Sequence, residues 1–323
     1  MALHSSIIMS QGQKMPILGF GTWNAKEDDL EEALNAALEA GYRHIDTAAA
    51  YENEHIIGNV LKKWLDSDKI KRSDLFITTK LPPSGNRPED VERWLKRSLS
   101  LLQLDYVDLY LVHTPFTFEA DGDAIVTFNE KGEVKLDLTT DHIKVWSMME
   151  KQVLEGRAKA IGLSNFNIAQ IKRILNVAKV PVSNLQVELH LYFQQKELVK
   201  FCQDNNISVT AYSSLGTRGY VQNMKKTDSV ADLLQDPTVL EIAKKYNKTP
   251  AQVALKHIVQ MGIAVIPKSV NPKRIKENAQ LFDWELESQD VNKLINLDKG
   301  KSGRILDFKM FKNIANHPEY SFS

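Results

Sequence analysis

The feature that most limits what this chain can fold into is the regular exchange of two hydrophobic periods. Short β-branched runs alternate with amphipathic helical windows almost to the C-terminus. The runs are ILGFGT (17–22), RHIDTA (43–48), LFITTK (75–80), YVDLYLVH (106–113), AIGLSN (160–165), NLQVEL (184–189), SVTAYS (208–213) and AVIPKS (264–269). Most are continuous in apolar character, as strands covered on both faces must be, and helices on both faces of a parallel sheet provide that cover. Between them, windows such as DDLEEALNAALEAG put Leu30, Leu34, Ala37 and Leu38 on one face and stop at Gly41. Eight such units with no linker rich in Pro, Gly or Ser predict an α/β fold: one (β/α)8 TIM barrel domain over residues 1–323. The windows at 236–247 and 287–298 predict two extra helices. Residues 114–141, 214–236 and 299–323 interrupt the repeat and are expected to form large loops over the C-terminal mouth.

A barrel collects its chemistry at the C-terminal ends of its strands. Three runs end in ionisable groups there: Asp46 after HID, Lys80 after FITT and His113 after LYLV, with Tyr51 in the loop beyond Asp46. Singly, each has an ordinary explanation as a solvated or packing residue. Together they suggest a proton donor. A buried ammonium needs a carboxylate, which Asp46 supplies. An ammonium beside a phenol is expected to draw its acidity from ~10 toward neutrality. His113 would hydrogen-bond a carbonyl oxygen and orient it.

Such a donor completes a reduction only if a hydride comes from elsewhere, so a cofactor is required. No strand-GxGxxG-helix unit is present, which argues against a Rossmann pyrophosphate site. The stretch IPKSVNPKRIKEN (266–278) offers another, with Lys268 and Ser269 ending the eighth strand and Arg274 opening a helix. Two cations there favour a 2′-phosphorylated dinucleotide, NADPH. Asn165 and Gln186 could hold a carboxamide, and Tyr212 could stack on a planar ring.

Three motifs, GYRHIDTAAAYENEHIIG (41–58), KAIGLSNF (159–166) and IPKSVNPKRIKENAQL (266–281), carry a resemblance to the aldo-keto reductases that runs nearly the length of the chain. The resemblance implies a monomeric barrel with NADPH extended across its mouth. It implies Tyr51 as general acid, Lys80 and Asp46 as its tuning pair and His113 as the orienting residue. It further implies Ser164, Asn165 and Gln186 on the nicotinamide amide, Tyr212 on its ring, and Ser213, Leu215 and Gly216 around the pyrophosphate. Lys268, Ser269 and Arg274 fall on the 2′-phosphate site, Glu277 and Asn278 on the adenine site, and Gly21, Thr22, Trp23 and Asp46 complete the expected cofactor contacts. Relatives that reduce steroid carbon-carbon double bonds carry glutamate where this chain has His113, so carbonyl reduction is implied.

Pro82 and Thr114 stand where many relatives have tryptophan, predicting a less aromatic pocket, and Ser214 replaces a common proline. The expected pocket comprises Trp23, Tyr51, His113, Phe308 and Phe311, which suits lipophilic carbonyls. The C-terminal HPEYSF is similar to insect members of the family, which suggests a 3-oxo-ecdysteroid substrate.

Lys and Arg balance Asp and Glu at 41 each, so no global field favours nucleic acid or anionic membrane. The one cysteine, Cys202, and the absence of an apolar leader or span predict a cytoplasmic protein. Two other classes are the alternatives: a barrel that binds NADPH in a regulatory or structural role, against which the intact set of Asp46, Tyr51, Lys80 and His113 argues, and a hydrolase using Asp46 with a metal, against which it counts that only Asp46, Glu188 and His113 stand at strand ends, with no cluster of His and carboxylates to hold the ion.

Overall fold

The computed structural model describes residues 5–25, 27–223 and 231–322; part of the expected insertion at 214–236 and the final residue of the tail lie outside these. A hairpin opens the chain: β1 (Ser6–Ile8) pairs antiparallel with β2 (Lys14–Pro16). Met15 is fully buried at the strand starts of the barrel, where Asn184 and Thr210 point donors at its sulfur, so the hairpin plugs the N-terminal end.

All eight expected runs become strands of one parallel sheet in chain order: β3 (Gly19–Gly21), β4 (His44–Asp46), β5 (Phe76–Leu81), β6 (Val107–Val112), β7 (Ala158–Ser164), β8 (Asn184–Glu188), β9 (Ser208–Tyr212) and β10 (Ala264–Val265). The ring closes where Leu18 bridges Val265 in parallel and the Val265 amide donates to Ile17 O at 2.8 Å. This last approach is tight. A β-carbon on Gly21 would lie 2.5 Å from Ile266 O, so glycine is what lets β3 meet the eighth strand.

Helices follow the strands: α1 (Glu27–Glu39), α2 (Glu54–Asp66), α3 (Val91–Leu102), α4 (His142–Leu154), α5 (Ile168–Leu175) and α6 (Lys196–Asp204). After β9 come α7 (Arg218–Asn223), α8 (Pro237–Tyr246) and α9 (Pro250–Gln260), then α10 (Pro272–Asn278) and α11 (Ser288–Ile295). The helices between the strands present apolar stripes to the sheet; on α3 the stripe is Val91, Trp94, Leu95, Leu99 and Leu102. The two expected extra helices are α8 and α11. They share an apolar cluster of their own around Leu191, Val239, Ile242 and Leu294. Proline opens α8, α9 and α10, and the Thr249–Gln252 capping box completes the start of α9.

The 114–141 loop and the C-terminal tail meet above the mouth. Phe116, Phe118, Val134, Ile314 and Phe322 form one buried cluster. His317 ties the two segments, its Nε2 donating to Asp137 O at 2.8 Å.

Candidate active site

Strand ends bring the four expected catalytic side chains together. Asp46 is the last residue of β4, Lys80 the penultimate residue of β5, and His113 comes directly after β6, while Tyr51 closes a single 3-10 turn, Ala49–Tyr51, after β4. Lys80 is wholly buried and directs its Nζ to Asp46 Oδ1 at 2.5 Å, Thr47 O at 2.8 Å and the Tyr51 hydroxyl at 3.3 Å. Those three acceptors satisfy the three N–H donors of the ammonium. The other carboxylate oxygen of Asp46 accepts from Gln186 Nε2 at 2.7 Å. The Tyr51 and His113 rings meet edge to face, 5.7 Å between centroids.

Burial, and then the Lys80 charge, hold His113 well below the usual imidazole range, so the ring is neutral near pH 7. Tyr51 departs from expectation. Burial, with the Asp46 charge adding to it, pushes its phenol well above 10 rather than toward neutrality. The reason lies in the pair beside it: Asp46 balances Lys80 at contact distance, so the phenol borders a nearly neutral unit and the cost of a dry phenolate dominates. Burial likewise lowers Lys80, with Asp46 opposing.

The next three strands supply an interlinked polar set. Asn165, in the left-handed region at φ +68°, donates from Nδ2 to His113 O at 2.9 Å and to Ser164 Oγ at 3.1 Å. Its Oδ1 accepts from the Tyr212 hydroxyl at 2.7 Å. The sequence suggested these residues for their polarity; what it did not show is that they bond to one another and to the His113 backbone.

A cavity of about 1240 Å³ runs from Tyr51 and His113 past Ser164, Asn165, Gln186 and Tyr212 to Lys268, Ser269, Arg274, Glu277 and Asn278. Gly21, Thr22, Trp23, Ser213 and Leu215 also line it. Gly216 does not: it turns the chain at φ +75°, its amide donating to Ser213 O. Ser214 is buried with its hydroxyl on Ala211 O. At the far end, burial holds Lys268 below its usual value; Asp29 opposes this, and the charge of Arg274 adds to it. Two cations held close enough to repel make a place where an anion relieves both.

The pocket end gathers more aromatic rings than the expected Trp23, Tyr51, Phe308 and Phe311. Pro82 is not in the lining, whereas the fully buried Phe116 and Phe118 back the cavity wall formed with the expected Trp23, Phe308 and Phe311. Phe116 meets Phe308, and Phe118 meets Phe311, each pair 5.3 Å apart. The signal for these was the PFTF run at 115–118, one residue past His113, which reads as loop. Asn53 was also missed. Its Nδ2 donates to Thr22 O at 2.9 Å and its Oδ1 accepts from Thr47, which fixes the loop that carries Tyr51. Among the described residues, no three His, Cys, Asp or Glu side chains are grouped so as to hold a metal ion.

Comparison with known proteins gives a consistent result. The family described as Aldo/keto reductase family matches residues 17–299. The chain is 44% identical over 326 residues to aldo-keto reductase family 1 member A1-A of Danio rerio, covering 98% of each. It is 41% identical over 324 residues to family 1 member A1 of Mus musculus, covering 99% of this chain and 98% of the other. Among solved structures, the aldose reductase from Schistosoma japonicum superposes with a TM-score of 0.90 at 38% identity, 99% of each chain covered.

Proposed function

Since the chain belongs to the aldo/keto reductase family, whose members are oxidoreductases acting on carbonyls, we propose that it reduces aldehydes and ketones to alcohols with NADPH, Tyr51 serving as general acid. The observation that carries this reading is the fully buried Lys80 with its three acceptors, one of them the phenol that opens onto the cavity.

The residues present fit the cofactor. The cavity is larger than the ~300–1,000 Å³ of most small-molecule sites and ends at two mutually repelling cations suited to a 2′-phosphate. Lys268, Ser269 and Arg274 would hold that group, Glu277 and Asn278 the adenine, Ser164, Asn165 and Gln186 the carboxamide, with Tyr212 under the ring. The bound dinucleotide would supply hydride to the carbonyl carbon.

The chain's own residues do the rest. The neutral His113 ring donates a hydrogen bond to the substrate oxygen and holds it near Tyr51. Tyr51 gives that oxygen its proton as the carbon is reduced, and a high intrinsic pKa suits a donor that must arrive protonated at neutral pH. Lys80 then faces the phenolate, while Asp46 and Gln186 keep the ammonium in place. The aromatic end, built from Trp23, Phe116, Phe118, Phe308 and Phe311, suits lipophilic carbonyls; a 3-oxo-ecdysteroid is the narrowest substrate of this class that we propose. We read the enzyme as a single-domain cytoplasmic monomer; no helix among the described residues is long and apolar enough to cross a membrane.

Loss of NADPH absorbance on mixing with small aldehydes, aldoses, long-chain aldehydes and 3-oxosteroids, including 3-dehydroecdysone, tests the proposal. Turnover should concentrate in the lipophilic members and fall by ~10²–10⁴ in Tyr51→Phe. Tight NADPH binding with no turnover of any carbonyl would favour a binding role instead.

A further inference from the structure

We infer that Glu188 is a positioning residue that locks the start of the C-terminal tail into the wall of the substrate pocket and so sets how tightly bulky carbonyls are held; the inference rests on the reductase reading above. Glu188 ends β8 at the mouth, two residues beyond Gln186 and therefore on the same side of the strand. It is 1% exposed, so its carboxylate must find donors inside the protein.

Two of those donors come from the tail. Oε1 accepts from Ile305 N at 2.7 Å and from His190 Nε2 at 2.9 Å, and Oε2 accepts from Leu306 N at 2.8 Å. One carboxylate thus grips two successive backbone amides more than a hundred residues away in sequence. The approach to this clasp is itself tight: a β-carbon on Gly303 would lie 1.9 Å from Tyr192 O, so only glycine lets the tail pass there.

Beyond the clasp the tail becomes pocket wall. Leu306 lines the cavity, as do Phe308 and Phe311 a few residues later. Ile305 and Leu306 also pack in one cluster with Val221, Trp23 and Tyr212. Moving the two gripped amides therefore moves the wall, whereas Lys80 on β5, Tyr51 in the turn after β4 and His113 just after β6 are held by bonds that do not involve Glu188. A carboxylate that served only to stabilise the fold would affect all substrates alike. One that holds the wall should discriminate by substrate size.

Glu188→Gln replaces one accepting oxygen by an NH₂ group that faces an amide N–H. In this variant the KM for a long-chain aldehyde should rise about tenfold, the order expected when a hydrogen bond to a charged acceptor is lost. The kcat and KM for a small aromatic aldehyde should stay within about twofold. Ile305→Pro removes one donor from the tail side, and Arg304 already has the φ −63°, ψ 132° backbone that a following proline prefers; it should give the same KM split.

Hydrogen-deuterium exchange over residues 304–311 in cofactor-free protein supplies the independent readout, and should quicken in Glu188→Gln while β4 and β5 stay protected. Unchanged exchange, or KM values that rise equally for small and bulky substrates, would overturn the inference. If the wild type reduces neither aldehyde, the reductase reading fails, and the exchange result alone decides whether Glu188 holds the tail.

Discussion

Lys80, which has no solvent exposure of its own, donates all its N–H groups to Asp46, Thr47 and Tyr51. Removing one member of such a pair strands the other, so Lys80→Met should lose about 3–5 kcal/mol of stability in denaturant unfolding. Lys80→Met combined with Asp46→Asn should recover most of that loss while remaining inactive. The pH profile is set by three directions at the site. Tyr51, raised above 10, keeps its proton through the neutral range, and His113, lowered below 6.5, stays neutral there, while burial brings Lys80 below its ordinary value. Thus kcat/KM for reduction should be level across the neutral range above about pH 6.5 and fall only on the alkaline side, where Lys80 and then Tyr51 lose their protons, in initial-rate assays; a decline centred near pH 7 would mean that Lys80 lowers the phenol after all. The identity and convergence of Asp46, Tyr51, Lys80 and His113 were legible because each stands at or just beyond a strand end. The proton affinity of Tyr51 was not, because desolvation depends on what packs around the ring.

Elements were legible in kind and less so in extent. The AVIPKS run predicted six residues of strand, yet β10 has two, since Pro267 has no amide to continue the ladder and serves only as an acceptor, for Gly21 N. That bond lies at the barrel's closing seam, where Gly21 has no room for a side chain. Gly21→Ala should therefore cost about 1–3 kcal/mol, the usual range for overpacking, and lower the thermal midpoint. The Thr249–Gln252 box predicts a milder change: Thr249→Ala should cost about 1 kcal/mol by the same measurement. The β1–β2 hairpin escaped the sequence reading because its strands, SII and KMP, carry no continuous apolar run, and Met15 gains its burial from the bottom of the barrel rather than from any local pattern.

At the scale of the molecule, one cavity joins a cationic end to an aromatic end about the Tyr51 phenol. The cationic end should govern cofactor choice. Arg274→Leu with Lys268→Met is expected to weaken NADPH at least about tenfold by fluorescence titration, as lost charge-assisted bonds would, and to leave NADH nearly unchanged. The aromatic end depends on the 114–141 loop and the tail meeting each other, with His317 and the Phe116–Phe308 and Phe118–Phe311 contacts between them. Neither segment carries a period that reveals its partner. By itself the sequence determined the eightfold repeat, the polar residues at its strand ends and the basic stretch after β10, because periodicity and strand-end position are local properties that a barrel converts directly into place. Only the tertiary structure decided the proton affinity of Tyr51, the aromatic wall and the grip of Glu188 on the tail, because burial and contacts between residues far apart in the chain exist only once it has closed.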